Sequence, residues 1–174
     1  MLPEREDNMI YFDMDGTLAD FEGGVRDICG FSAADKNHPD EEQDNRMWEG
    51  IRKAGDFYYR LKPLPGAIEL FRKVYEKYGD ECRILTGIPS EARGIVTAAE
   101  DKKAWVRDLI GPEVIAIVCP RKEKQLYATD NGDPCVLIDD LPKTIREWEA
   151  DGGIGILYTN AEEAEEQLRR LEII

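Results

Sequence analysis

Five short apolar runs, separated by segments long enough to form helices, most constrain how this chain of 174 residues folds. The runs cover residues 9–12, 82–86, 114–118, 135–138 and 154–158. Short apolar runs that alternate with helical segments are typical of a parallel sheet whose crossover helices cover its faces. We therefore predict an α/β protein built around one parallel sheet.

The segments between the runs carry helix signals of their own. Apolar residues recur at helical spacing between Gly66 and Gly79. Ser90 is expected to cap a long helix over residues 91–110, which Gly111 would end. Residues 142–150 and the acidic residues 161–171 are predicted to form two further helices.

A polar stretch after the first run breaks the alternation. Its middle, residues 35–42, is nearly all hydrophilic, with aromatic and apolar side chains on either side. We predict a small helical cap over residues 20–62, and a core domain formed by residues 1–19 and 63–174. Ligands bind at the carboxyl ends of parallel strands, so an insertion at this point is well placed to act as a lid. The alternative is a helical hairpin that only covers one edge of the sheet.

The first run ends in two carboxylates, Asp13 and Asp15, followed by Gly16. In an extended chain residues i and i+2 point the same way, so both carboxylates reach one spot at the tip of the strand. Their mutual repulsion is relieved if a hard cation such as Mg²⁺ binds between them. A surface turn is the alternative interpretation of this short motif.

Two further runs end in groups that suit a phosphate. Thr86 offers a hydroxyl and Gly87 an approachable backbone N–H. After the third run, Lys122 or Lys124 could supply positive charge to the same anion. The spacing to residues 127–128 favours Lys124, and counting from Ile117 favours Lys122.

The fourth run ends in a second pair of carboxylates, Asp139 and Asp140. Because the carboxyl ends of parallel strands lie at one edge of a sheet, this pair is expected to approach the first. The sequence thus predicts two acidic strand tips, a Thr-Gly tip and a lysine tip around one site.

Composition excludes several classes of protein. A net charge of −14 argues against polymeric nucleic acid as a partner, because nucleic acid requires a basic surface. No apolar run is long enough to cross a bilayer, and residues 1–8 are charged where a signal peptide would be apolar. We therefore expect a cytoplasmic protein without a membrane partner. The cysteines are scattered, so neither a zinc site nor a disulfide framework is predicted.

The ordered set of strand tips resembles the haloacid dehalogenase (HAD) superfamily. More narrowly, three segments resemble the 5′(3′)-deoxyribonucleotidase family: Asp-Met-Asp-Gly-Thr-Leu-Ala-Asp-Phe-Glu at residues 13–22, Phe-Tyr-Tyr-Arg-Leu-Lys-Pro-Leu-Pro-Gly-Ala at 57–67, and Leu-Ile-Asp-Asp at 137–140. The resemblance implies a three-layer HAD-like fold with strand order 3-2-1-4-5 and a cap after the first strand. It also implies an Mg²⁺-dependent phosphatase that acts on nucleoside monophosphates.

The resemblance further implies a role for each motif residue. Asp13 would be the nucleophile that forms an aspartyl phosphate, and Asp15 the general acid and base. Mg²⁺ would be held by Asp13, by the backbone carbonyl of Asp15 and by the second acidic pair, with Asp140 as the direct ligand and Asp139 bound through water.

Other residues would bind the substrate. The phosphate oxygens would be held by Thr86, Gly87 and the motif lysine, taken as Lys124. In the cap, the base would stack on one or more of three aromatic residues, Phe21, Trp48 and Phe57.

The sugar preference and the alternatives follow from the same region. Asp20 and Phe21 are expected to lie near the sugar and to favour deoxyribonucleotides. The alternative for the three cap aromatics is that they form the small core of the cap itself.

The sequence departs from the family at two points. Leu141 follows the second acidic pair where the animal members have a basic residue, and Gly87 stands where they have a serine. These departures leave two other functions open: a HAD phosphatase for another small phosphoester, and a binding domain without catalysis.

Overall fold

The computed structural model describes residues 8–174. The charged opening segment, on which the cytoplasmic expectation was based, lies outside the described residues apart from Asn8. Within residues 8–174, no helix combines the length and the apolar character that crossing a membrane requires.

The centre of the fold is a parallel sheet of five strands. In chain order the strands are β1 (Ile10–Phe12), β2 (Cys82–Ile88), β3 (Ala116–Pro120), β4 (Thr129–Asp130), β5 (Asp133–Pro134), β6 (Val136–Asp139) and β7 (Ile154–Leu157). The main sheet has the order β3-β2-β1-β6-β7, and β4 and β5 form a separate two-stranded hairpin. The five predicted runs correspond to the five strands of the main sheet, so the predicted strand order 3-2-1-4-5 and the α/β class are confirmed.

The register of the central strands brings the acidic tips together. Phe12 pairs with Ile84 of β2 on one side and with Ile138 of β6 on the other. The next residue, Asp13, donates its backbone N–H to the carbonyl of Ile138 at 2.9 Å. Asp13 and Asp139 therefore follow paired residues and lie at one level, at the carboxyl edge where ligands bind in open parallel sheets, while β2 continues to Ile88.

Six α-helices within residues 8–174 accompany these strands. They are α1 (Phe21–Gly24), α2 (Glu41–Ala54), α3 (Ala67–Tyr78), α4 (Ala98–Leu109), α5 (Pro142–Ala150) and α6 (Ala161–Arg170). Helix α3 buries Ala67, Leu70, Phe71 and Val74, the i, i+3, i+4, i+7 spacing of an amphipathic helix. Pro142 occupies the first turn of α5, where a missing N–H costs nothing.

The prediction of a single helix over residues 91–110 was wrong. Residues Glu91–Arg93 form a short 3₁₀ turn, and α4 begins only at Ala98. Gly94 lies between them with a left-handed φ of 69°, which ends the turn and prevents a continuous helix. Ser90 makes no side-chain capping bond.

The segment predicted as the cap, residues 20–62, contains the 14-residue helix α2 and several short helical pieces. Helix α1 continues into a π-helix, Val25–Cys29, and α2 is followed by a 3₁₀ turn, Tyr58–Arg60. Buried residues of this segment, such as Ile51, belong to the same hydrophobic cluster as Phe12 of the sheet. The segment therefore packs on the sheet through apolar contacts, while the domain boundaries at 20 and 62 remain predictions.

Candidate active site

A buried lysine joins the two acidic strand tips. The Nζ atom of Lys124 lies 2.7 Å from Asp13 Oδ1 and 2.9 Å from Asp139 Oδ2. All three side chains are buried. Burial lowers the pKa of the Lys124 ammonium, but the charges of Asp13 and Asp139 outweigh it, and the pKa is raised overall. Lys124 is therefore a permanent cation between the two tips, while Lys122 lies exposed to solvent.

Three carboxylates form a cluster that suits a metal ion. One oxygen each from Asp13, Asp139 and Asp140 lie within 4.8 Å of one another. Burial and the charge of Asp13 together raise the pKa of Asp140 to about 7, although Lys36 opposes the shift. Hard oxygen donors at this spacing are the ligands that Mg²⁺ prefers, so the residues present fit a divalent cation.

The two members of the second pair are held differently. Asp139 accepts a hydrogen bond from the backbone N–H of Leu141 at 2.8 Å, besides the one from Lys124. Both its oxygens thus have donors within the protein. The carboxylate of Asp140 is paired with Lys36 and packs against Gly16, where a Cβ would clash with it. Gly16 also has a left-handed φ of 81°, so glycine is required there both for its backbone conformation and for the space that a Cβ would fill.

A second lysine, which the sequence reasoning missed, lies on the other side of the site. Lys102 Nζ is 2.6 Å from Asp15 Oδ2, 2.6 Å from the carbonyl of Gly87 and 3.1 Å from Thr86 Oγ1. Its ammonium also lies 4.5 Å from the centre of the Tyr58 ring. The side chain is 2% exposed. A lysine so deeply buried requires such partners, because an unpaired ammonium in the core is very costly.

The sequence did contain a signal for Lys102. It lies on the buried face of α4, four residues after Ala98, three before Trp105 and four before Val106. A charged residue at an apolar position of a helix indicates a buried ion pair. The signal was missed because the predicted helix had the wrong start and its buried face was not assigned.

Lys102 affects the acidity of Asp15. Burial raises the pKa of the Asp15 carboxyl, Lys102 opposes this shift, and the charge of Asp13 adds to it, so the pKa is raised overall. The second oxygen, Oδ1, is buried and has no hydrogen-bond partner among residues 8–174. The carboxylates of Asp13, Asp139 and Asp140 form the cluster described above, whereas the carboxylate of Asp15 lies outside it and is bound by Lys102.

The phosphate-binding prediction for β2 concerns Thr86 and Gly87. Strand β2 continues to Ile88, two residues further than the predicted end, so both residues lie within the strand. The Thr86 side chain is buried and accepts the hydrogen bond from Lys102. Gly87 presents its carbonyl to the same ammonium.

A cavity of about 580 Å³ opens above these groups and is roofed by the segment 20–62. Phe21 and Trp48 line it, with ring centres 6.4 Å apart. Phe57 is 1% exposed and does not belong to the cavity wall; its ring packs edge-on against Phe21 at 5.5 Å. The structure thus brings two of the three predicted aromatics to the cavity, and Phe57 fits the alternative of a small apolar core. Asp20 lines the cavity and accepts the N–H of Gly23.

A polar contact ties the roof to the loop after β2. Arg93 donates to Asp44 at 2.6 Å and to Asn45 at 3.0 Å, and its guanidinium lies 5.4 Å from the centre of the Trp48 ring. The indole N–H of Trp48 donates to Asp44 at 3.1 Å. These contacts fix the orientation of Trp48 at the cavity wall.

Comparison with known proteins agrees with this geometry. The family model described as 5′ nucleotidase, deoxy (pyrimidine), cytosolic type C protein matches residues 7–171. The mitochondrial 5′(3′)-deoxyribonucleotidase of Mus musculus is 28% identical in an alignment of 156 residues, and the match covers 76% of this chain and 64% of the mouse protein. The cytosolic 5′(3′)-deoxyribonucleotidase of Homo sapiens is 24% identical in an alignment of 168 residues, and the match covers 86% of this chain and 79% of that protein.

Among solved structures, a hydrolase from Pseudomonas syringae has a TM-score of 0.51 at 20% identity, covering 95% of this chain and 98% of the other. This likeness supports the fold. The chain spans 64% and 62% of the length of the mouse and human mitochondrial relatives. Because the family model covers nearly the whole chain, the protein belongs to the family of 5′ nucleotidase, deoxy (pyrimidine), cytosolic type C proteins.

Proposed function

We propose that this protein is a phosphomonoesterase that depends on a divalent metal, acts on nucleoside monophosphates and passes through an aspartyl phosphate. The observation that carries the proposal is the cluster of Asp13, Asp139 and Asp140 with Lys124 bound between two of them, at the base of a cavity. Carboxylates and a fixed cation at a strand edge suit phosphoryl transfer, which requires positioning and charge stabilisation.

Asp13 is the proposed nucleophile. Lys124 donates to its Oδ1, and Oδ2 has no hydrogen-bond donor among the described side chains. In the first step Oδ2 forms a bond to phosphorus while the bond to the leaving alcohol breaks. The hydrogen bond from Lys124 holds the carboxylate in one orientation, so little order has to be created when the substrate binds.

Asp15 is the proposed general acid and base. Burial raises its pKa, which favours a carboxyl that can give a proton to the leaving oxygen. Lys102 holds Oδ2, so Oδ1 is the oxygen that would carry this proton. In the second step Asp15 would take a proton from water as the water attacks phosphorus, which releases Asp13 and inorganic phosphate.

The metal would be held by Asp13 and by Asp140. Asp140 is the better direct ligand of its pair, because both oxygens of Asp139 already accept hydrogen bonds from Lys124 and Leu141. The bound cation would shield the anionic phosphate from the anionic nucleophile. Mg²⁺ is the proposed ion because carboxylate oxygens are its usual protein ligands.

The cavity wall supports a substrate with an aromatic base. Phe21 and Trp48 offer apolar faces at the cavity, and base stacking on such a residue contributes about 1–3 kcal/mol. The names of the two relatives, 5′(3′)-deoxyribonucleotidases, point to the same class of substrate. We propose a preference for deoxyribonucleotides, because the apolar ring of Phe21 at the cavity wall would leave a 2′-hydroxyl without a partner.

The direct test is turnover of a panel of ribo- and deoxyribonucleoside monophosphates, sugar phosphates and p-nitrophenyl phosphate. We expect Asp13→Asn to lose at least about a thousandfold in kcat, because an amide is a poor nucleophile. Asp151→Asn, an exposed residue beyond the site, is the matched control. If Asp13→Asn keeps more than about a tenth of the wild-type kcat, the aspartyl phosphate is refuted. A preference for sugar phosphates would favour the other phosphoester class.

Metal removal tests the second half of the proposal. EDTA is expected to abolish hydrolysis of p-nitrophenyl phosphate, Mg²⁺ to restore it, and Ca²⁺ to restore it poorly. Ca²⁺ takes more ligands at longer distances and can draw both oxygens of Asp13 onto itself. Full activity after exhaustive chelation would contradict a metal-dependent mechanism.

A further inference from the structure

One side chain of the cap segment, Lys36, reaches the carboxylate cluster. Its ammonium forms an ion pair with Asp140 Oδ2. Lys36 belongs to the cap loop, residues 30–40, which connects the π-helix to α2. The Asp140 side chain is 11% exposed and that of Lys36 is 41% exposed, so the acid is fixed in the core and the cation can be released to solvent.

The charges around the cavity show why this contact matters. The segment 20–62 contributes four acidic residues to the cavity wall, namely Asp20, Glu22, Asp35 and Asp44. Among the described residues of this segment, Lys36 is the one cation in the wall. The two buried lysines are committed elsewhere, Lys124 to Asp13 and Asp139, and Lys102 to Asp15. Among the described residues, Lys36 is the cation that forms an ion pair with Asp140, and it supplies that carboxylate with its counter-charge.

The local geometry of the cap loop positions this lysine. The carboxylate of Asp35 accepts the backbone N–H groups of Asn37 at 2.8 Å and His38 at 3.2 Å. This turn surrounds Lys36 and holds its backbone in place. The order of the loop and the contact with Asp140 are thus linked through adjacent residues.

We propose that Lys36 and the divalent metal compete for Asp140, so that metal binding releases the cap loop from the core. The inference rests on the metal site of the proposed function. A carboxylate oxygen that accepts the ammonium of Lys36 has to lose that contact, or share it, when it coordinates a cation. Lys36 acts through Asp140 and is therefore a positioning residue. Through this contact, metal binding at Asp140 changes the order of the cap loop.

The first measurement is metal affinity, without any substrate. Calorimetric titration of the metal-free protein with Mg²⁺ and Mn²⁺ compares wild type, Lys36→Met and Lys36→Arg. We expect Lys36→Met to bind metal about fivefold more tightly, since a partly exposed ion pair no longer has to be broken. Lys36→Arg keeps the cation and is expected to keep the wild-type affinity.

The matched control is Lys53→Met. Lys53 lies in the same segment, pairs with Glu49 and is 72% exposed, so its loss changes the net charge equally without touching the cluster. Its metal affinity should equal that of the wild type. Tightening of the same size in this control would mean that net charge, and not the contact with Asp140, sets the affinity, and the proposal would be overturned.

The second measurement follows the loop itself by amide hydrogen exchange. In the wild type the amides of Asn37 and His38 are expected to exchange faster when Mg²⁺ is bound, because the loop loses its anchor. In Lys36→Met they should already exchange fast and respond little to metal. Unchanged affinity in Lys36→Met, or loop exchange in the wild type that ignores Mg²⁺, overturns the proposal.

These results are separable from the proposed enzyme activity. A wild type that binds no divalent cation overturns the metal site and this inference together. A protein that binds metal, shows the Lys36 effect and yet hydrolyses no phosphomonoester supports this inference and refutes the proposed function alone.

Discussion

Replacing Lys102 by methionine tests the charge balance of the site most directly. The substitution keeps most of the apolar stem and removes the ammonium, which contacts Asp15 Oδ2 and the carbonyl of Gly87 at 2.6 Å each. Asp15 would then lie beside Asp13 without its cation, and the Gly87 carbonyl would lose this donor. Removing one partner of a buried ion pair costs about 3–5 kcal/mol.

Protonation of Asp15 limits this cost and makes it depend on pH. A free Asp has a pKa of about 3.9, so neutralising it costs about 4 kcal/mol at pH 7 and about 1.5 kcal/mol at pH 5. The loss of the hydrogen bond to Gly87 adds about 1–3 kcal/mol at either pH. The destabilisation of Lys102→Met relative to wild type is therefore expected to be clearly smaller at pH 5 than at pH 7.

The sign follows from linkage. Burial raises the pKa of Asp15 in the folded wild type although Lys102 opposes the shift, and without Lys102 the folded pKa rises further. Between the unfolded pKa and this raised folded pKa, the folded variant binds more protons than the unfolded chain. Its stability is therefore highest below the unfolded pKa and falls as pH rises toward the folded pKa.

Urea unfolding, followed by circular dichroism from pH 5 to pH 8, measures the difference between variant and wild type. Lys103→Met is the matched control, because the neighbouring Lys103 is exposed and loses the same charge. We expect the control to stay within about 0.5 kcal/mol of wild type. A Lys102→Met variant as stable as this control at pH 7, or one whose loss of stability does not shrink at pH 5, would refute the buried ion pair.

Two further predictions concern residues of the same cavity. Asp139→Ala should lose about 2–4 kcal/mol of unfolding free energy, because Lys124 and the Leu141 N–H both lose an acceptor. Asp140→Ala should lose less stability but more Mg²⁺ affinity. Urea unfolding and calorimetry on both variants measure these quantities, and the reverse order would refute the assignment of Asp140 as direct ligand. Trp48→Ala should raise KM for dTMP or dUMP and leave p-nitrophenyl phosphate cleavage nearly unchanged, and equal losses on both substrates would mean that Trp48 only supports the roof of the cavity.

The sequence predicted the sheet well because strand signals are local. Apolar runs bounded by turn residues define the five main strands, and β6 ends in Asp139 as expected. Helix α4 was mispredicted because Gly94 interrupts a segment of otherwise good helix formers. The hairpin of β4 and β5 was missed, since strands of two residues have too little pattern to detect.

The pairing of charges could not be predicted for a different reason. Lys102 and Asp15 are 87 residues apart in the chain, and Lys36 and Asp140 are 104 apart. Charge is frequent in this sequence, which is 34% charged, so composition offers many alternative pairs. The packing of α4 and of the cap loop against the sheet determines which of the possible charge pairs form. The acidic motif and Lys124 were identified from the sequence, whereas Lys36 and Lys102, which pair with Asp140 and Asp15, were not.

The resulting balance argues for a metal on electrostatic grounds alone. Asp13, Asp15, Asp139 and Asp140 carry four negative charges when ionised, and Lys36, Lys102 and Lys124 supply three positive ones. A phosphate dianion would add two negative charges to a largely buried site, where water screens poorly. One divalent cation carries two positive charges and offsets that addition. Substrate and metal are therefore expected to bind together more favourably than either binds alone, and the Mg²⁺ affinity should rise when inorganic phosphate is present.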